Sequence, residues 1–127
     1  MKLEDICEAW EKDGPVDTIN ITNESANTPK LHNKYFKIYM GEGYVLRKMK
    51  ADYKKLFKLK TEYYRGELDV TELAQFGWQP QPLKILKQDI PSYLDADDDL
   101  IESSLKIGAQ EQKVAYLESI LKLIGNR

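Results

Sequence analysis

The chain has one cysteine, one histidine and no apolar run approaching the roughly eighteen residues a membrane helix needs. Each scarcity removes a class of function. Cys7 has no second thiol for an internal disulfide, which fits a reducing compartment. With His32 as the other lone ligand type, one chain offers no zinc site and no Cys–His nucleophile pair of the usual kind. The opening Met1-Lys2-Leu3-Glu4-Asp5 lacks the positive flank and apolar stretch of a signal peptide. A phosphate-cradling GxxxxGK[ST] loop is missing, and Gly41-Glu42-Gly43 is too short to replace it, so an ATPase is excluded. Carboxylates are plentiful but fall in solvated or capping contexts. The expectation is a cytoplasmic protein that is not an enzyme, with no cofactor, no metal and no membrane span.

What is present is a concentration of positive charge. The 127 residues fit one domain, and 42% apolar with 31% charged residues suits a folded chain. The net charge of −2 hides three unlike segments. Residues 1–29 and 66–127 each carry −5, whereas residues 30–65 set eleven Lys and Arg against Glu42, Asp52 and Glu62, giving +8. A focused positive field of this kind seeks a polyanion.

Periodicity predicts an all-α fold. Leu3, Ile6, Cys7 and Trp10 share a helix face that ends at Asp13-Gly14-Pro15. Residues 17–22 are ambiguous and can enter the next helix. Asn27-Thr28-Pro29 reads as a cap and first-turn proline opening a helix through about Tyr39, with Gly41-Glu42-Gly43 as a kink or a separator. From Tyr44 to Arg65 no Gly or Pro interrupts the pattern, and Val45, Leu46, Met49, Tyr53, Leu56, Phe57, Tyr63 and Tyr64 form one face. Residues 67–94, with Pro80, Pro82, Pro91 and Phe76-Gly77-Trp78, read as a connector that is either an ordered loop or a short hairpin.

Residues 95–125 are expected to form one long helix, its acids Asp95, Asp97, Asp98 and Asp99 at the N-terminal end where they suit free amides and the dipole. Leu100, Ser103, Ile107, Gln110, Val114, Leu117, Leu121 and Ile124 keep heptad spacing, and Ile101, Leu105, Ile120 and Leu123 make a second seam beside it. Two seams suit a helix with a neighbour on each side. The expected oligomerisation residues are therefore Leu100, Ile101, Leu105, Ile107, Val114, Leu117, Ile120, Leu121 and Ile124. The acidic run also begins like a calcium loop, but Leu100 stands where glycine is required and Lys106 where a bidentate glutamate is, so capping is the better reading.

The candidate binding residues lie on the middle helix. Arg47, Lys50, Lys54, Lys58 and Arg65 form a stripe opposite the apolar face, with Lys48 and Lys55 at its edge. Cations hold a phosphate backbone without sequence preference, and Tyr63 and Tyr64 offer rings for unpaired bases. A merely solvated face normally interleaves both signs, yet from Arg47 to Lys60 only Asp52 opposes seven cations. An anionic membrane surface is the remaining alternative. Lys60 falls in the middle of the apolar face; it either escapes at the helix end or points into a groove used by ligand.

Four segments then carry a resemblance. Leu3-Glu4-Asp5-Ile6, Glu24-Ser25-Ala26-Asn27-Thr28-Pro29-Lys30-Leu31-His32, Lys58-Leu59-Lys60-Thr61-Glu62-Tyr63-Tyr64-Arg65-Gly66 and Asp89-Ile90-Pro91-Ser92-Tyr93-Leu94-Asp95, in that order, resemble the UvsY family of recombination mediators from tailed bacteriophages. The resemblance implies a homo-oligomeric ring of roughly six or more subunits that binds single-stranded DNA. It also implies contacts with a single-strand-binding protein and a RecA-like recombinase, in the host cytoplasm. The family's Leu-Lys-Ala-Arg motif falls on Phe57-Lys58-Leu59-Lys60, which implies that Lys58 and Lys60 touch DNA. Lys60 replaces the family's arginine, keeping the charge and losing the planar fork. Members of the family continue past an Asn-Arg pair into a segment associated with assembly, whereas Asn126-Arg127 is the last pair here; the heptad helix before it still predicts an oligomer.

Overall fold

The structure, a computed structural model, describes residues 1–15, 21–80 and 84–126, and for residues 21–25 the backbone alone. Residues 17–20, Pro82 and Arg127, which entered the sequence reading, lie outside the described residues. Those described form α1 (Leu3–Asp13), α2 (Ile21–Tyr64), α3 (Val70–Phe76), a 3₁₀ turn (Lys87–Asp89), α4 (Ile90–Asp95) and α5 (Asp98–Gly125). The all-α expectation stands.

Three boundaries differ from those the pattern suggested. Helix α2 is continuous, with Pro29 inside it and Gly41-Glu42-Gly43 helical. Proline removes one amide from the ladder, and the ladder on either side carries the helix past it. The glycines cost helical propensity, of order 1 kcal/mol each, but Glu42 between them is tied to another helix. Its backbone carbonyl and Oε2 accept from Gln110 Nε2 at 2.9 and 2.8 Å, and its Oε1 accepts from the Met1 ammonium at 3.0 Å. Tertiary bonding overrides local propensity there.

The second difference concerns the connector. Among the described residues no hairpin forms between 67 and 94. Asp69 caps α3 by accepting from the Glu72 amide at 2.8 Å, and Gly77 ends it in the left-handed region at φ 70°. The Trp78 amide then donates back to the Leu73 carbonyl at 3.0 Å, a Schellman closure that fixes where the tryptophan leaves the helix. Third, the expected helix over 95–125 is divided. The Asp97 side chain accepts from the Leu100 amide at 3.0 Å, so the chain re-caps and starts α5 after α4 has ended.

The residues group into two compact units, Met1–Arg47 with Gly108–Arg127, and Lys48–Ile107. In the first, Ile6, Tyr35, Leu117, Ile120 and Ile124 are buried to 1% exposure or less, with Trp10 set edge-on against Tyr35 at 5.4 Å. Tyr35 Oη and Lys34 Nζ both donate to Asp13 Oδ2, at 3.0 and 2.6 Å, closing the end of α1 onto α2. In the second, Ile90, Leu94 and Leu100 are buried against Tyr53, Leu56, Tyr64 and Ile85.

This packing divides the expected oligomerisation set. Leu100, Leu117, Ile120 and Ile124 are buried in the cores of their own units. Ile107, Val114 and Leu121 are half-buried, whereas Ile101 and Leu105 of the expected set, and Leu123 beside them, stay exposed at 43%, 71% and 55%. The reason is that the chain's own helices take the first seam. Truncation in the buried group is expected to register in folding itself: Leu117→Ala costs about 2–5 kcal/mol in denaturant unfolding.

Candidate nucleic-acid interface

Helix α2 presents its cations as the wheel requires. Arg47 ends the first unit and is exposed; in the second unit Lys48, Lys50, Lys54, Lys55, Lys58 and Arg65 are all exposed. At 1.5 Å per residue, Lys50 to Arg65 spans about 22 Å, with Lys54 and Lys58 between them on the same side. Gly66 closes the helix at φ 74°, the Glu67 amide donating to the Glu62 carbonyl at 3.0 Å, so Arg65 sits at the turn. None of these seven cations lies within ion-pairing distance of a carboxylate among the described residues. The described ion pairs use the Met1 ammonium, Lys34, Lys60, Lys106 and Lys113 instead. Desolvated partners would have to be stripped before DNA could bind; here the charges already face water.

Lys60 departs from the rest, as its place in the middle of the apolar face required. It is 4% exposed, its Nζ 3.2 Å from Asp97 Oδ2 and 2.8 Å from Asp99 Oδ2, and 4.0 Å from the centroid of the Trp78 ring. The Trp78 ring also stacks on the ring of Phe76, centroids 4.9 Å apart. The cause is the wheel position noted above: Lys60 leaves α2 on the apolar side, where an unpaired ammonium is prohibitively costly. The acids answer it. A lysine in mid-face demands a counter-charge, and that was the available signal; the sequence did not say that the counter-charge would be the acids of the α5 cap.

The two tyrosines are half-buried rather than free. Tyr64 Oη donates to Asp97 Oδ2 at 2.6 Å, and Tyr63 Oη donates to the Gln79 carbonyl at 2.5 Å while its ring meets Trp78 at 5.1 Å. Burial first, then the bond to Asp97, hold the Tyr64 phenol protonated well above its ordinary range. Asp97 thus has three donors: Tyr64, the Leu100 amide and Lys60. Burial pushes its carboxyl up, but those three outweigh burial and hold it below the usual carboxylate range. Glu42 behaves alike in the first unit: burial raises it, and Gln110, the Met1 ammonium and Lys113 bring it below. Residues such as Trp78, Asp97 and Asp99 therefore build the floor under the basic helix and leave its outer side to the solvent-facing cations.

Two outcomes follow. Lys60→Ala leaves Asp97 as a buried charge short of a partner and is expected to cost about 3 kcal/mol or more in thermal or chemical unfolding, whereas Lys58→Ala leaves stability nearly unchanged. On acidification the unfolded chain protonates first, because Asp97 and Glu42 titrate lower when folded. The stability they contribute is complete above about pH 5 and is lost as pH falls through their lowered values. Asp97→Asn should flatten this acid limb in a circular-dichroism melt series, and an unaltered limb would contradict the assignment.

Comparison with known proteins agrees with this architecture. The family model described as "Recombination, repair and ssDNA binding protein UvsY" matches residues 9–127. The recombination protein UvsY of Enterobacteria phage T4 is 26% identical over 102 residues, covering 80% of this chain and 69% of that protein. Crystal structures titled as the bacteriophage T4 recombination mediator protein UvsY superpose with a TM-score of 0.82 at 22% identity, covering 99% of this chain and 87% of that one, and with 0.83 at 21% identity, covering 99% and 89%. Identities this low speak for the fold alone, but the family match takes in all but the first eight residues. The chain belongs to the UvsY family of recombination, repair and single-stranded-DNA-binding proteins.

Proposed function

We propose that this protein is a non-enzymatic recombination mediator that holds single-stranded DNA along the exposed cations of α2: Arg47, Lys48, Lys50, Lys54, Lys55, Lys58 and Arg65. The observation that carries the reading is that these seven side chains are exposed and unpaired among the described residues, while Lys60, on the apolar side, is neutralised internally. A polyphosphate is the partner such a row suits, since each phosphate neutralised releases counterions. Tyr63 and Tyr64 serve the site by shaping its floor, their hydroxyls being committed to Gln79 and Asp97.

Membership of the family supports the recombination role. We place the protein in the cytoplasm of the host cell as a closed homo-oligomer, with Ile101, Leu105 and Leu123 as apolar side chains left over for assembly. Repetition of the basic helix around a ring of roughly six or more copies turns weak single-helix contacts into avidity without any new contact. Such an assembly bends or tethers the strand, loosens the resident single-strand-binding protein, and presents the backbone to a RecA-like recombinase. No bond is made or broken by the mediator in this scheme.

Charge removal tests it. The double variant Lys54→Ala, Lys58→Ala is expected to weaken binding to an oligothymidylate probe and to lower the slope of log affinity against log salt by about 1.4, or about 0.7 per cation for single strands. Its light-scattering mass should equal that of the unmodified protein. Unchanged affinity and slope would remove α2 as the binding surface.

A further inference from the structure

The acidic C-terminal half returns two of its cations to the end of the basic helix. A surface cleft of about 390 Å³ lies beside Arg65, with Lys84 and Lys87 on its rim and Glu67 as its one lining carboxylate. All three cations are exposed, and none has a carboxylate within ion-pairing distance among the described residues. The floor is apolar. Ile90 is buried, Ile85 packs against the core of the second unit, and Leu86 remains 59% exposed at the lip. The backbone holds this arrangement: Leu86 is extended (φ −65°, ψ 140°), and its carbonyl accepts from the Asp89 amide at 2.8 Å, closing the 3₁₀ turn that carries Lys87. A shallower depression of about 450 Å³ adjoins through Leu86 and Lys87 and reaches Gln88.

A cleft with a rim of three cations and an apolar floor matches a nucleotide unit, whose phosphate carries the charge and whose base and sugar offer apolar faces. Continuity favours DNA over an acidic peptide, because Arg65, on this rim, directly follows the last turn of α2, whose exposed side carries Lys50, Lys54 and Lys58. A second cleft, of about 370 Å³ by Lys12, Lys30 and Lys34, lacks this character, since Lys34 is already spent on Asp13. We infer that the Arg65–Lys84–Lys87 cleft is a nucleotide-binding subsite that receives the single strand as it leaves the C-terminal end of α2. The inference rests on the α2 reading above and adds to it Lys84 and Lys87, two residues outside the basic segment of the sequence.

The test compares three double variants of the full chain, the Lys54→Ala, Lys58→Ala variant among them, by fluorescence anisotropy with labelled oligothymidylate over a salt series. Lys84→Ala with Lys87→Ala is expected to bind about tenfold more weakly with a salt slope lower by about 1.4, and Lys84→Arg with Lys87→Arg to bind as the unmodified protein does. A photo-reactive side chain at Leu86 is expected to cross-link to the oligonucleotide. If the Lys84/Lys87 variant binds normally while the Lys54/Lys58 variant loses affinity, the subsite is overturned and the α2 surface stands. If neither variant loses affinity, both fall. Cross-linking from position 86 to an oligoglutamate peptide in preference to oligothymidylate overturns the nucleotide assignment and makes the cleft a peptide site.

Discussion

The second unit depends on one buried contact, the ammonium of Lys60 held by Asp97. Around it four elements converge: Lys60 and Tyr64 come from α2, Trp78 follows α3, Asp97 lies between α4 and α5, and Asp99 opens α5. A buried ion pair contributes little net stability compared with an apolar packing of the same volume, but it is intolerant of losing one member. Such a contact specifies geometry more than it adds stability. Only one register of α2 against the start of α5 lets Lys60, Tyr64 and the Leu100 amide meet a single carboxylate.

That constraint sorts the positive charge. A helix as basic as α2 has more cations than one face can display, and the position at 220° from Arg47 on the wheel falls inward at about 100° per residue. The chain neutralises that position with its own acids and leaves the others to solvent. The first unit solves the opposite problem in the same way, Glu42 being an inward carboxylate met by Gln110, Lys113 and the Met1 ammonium. In both units an ionic group on the buried side is satisfied within the chain, and the exposed cations of α2 face solvent.

Aromatic side chains follow the same division. In a basic helix with tyrosines the simplest expectation is that the rings stack on bases. Here Tyr63, Tyr64, Trp78 and Tyr93 touch one another at ring-centroid distances between 5.1 and 5.7 Å, and the hydroxyls of Tyr63 and Tyr64 are taken by a carbonyl and a carboxylate. They pack against one another beside the C-terminal end of the basic helix.

Periodicity alone determined that the chain is helical, where α1 ends, and which side of α2 is basic, because these follow from spacing along a single helix and need no neighbour. The capping role of the acids near residue 97 was equally legible, since an N-cap is a local bond. The continuity of α2 through Pro29 and Gly41-Glu42-Gly43 was not: local propensity argues for a break, and it is the bonds from Gln110, a residue far along the chain, that hold Glu42 in the helix. Nor could the heptad seam of α5 say who would cover it. An apolar stripe reads the same whether its neighbour is another subunit or the chain's own α1 and α2, and the structure gives Leu117, Ile120 and Ile124 to the latter. Lys60 is the sharpest case. The sequence placed its charge on the apolar side of the helix, and only the tertiary structure, by bringing Asp97 and Asp99 to it, decided which groups neutralise it.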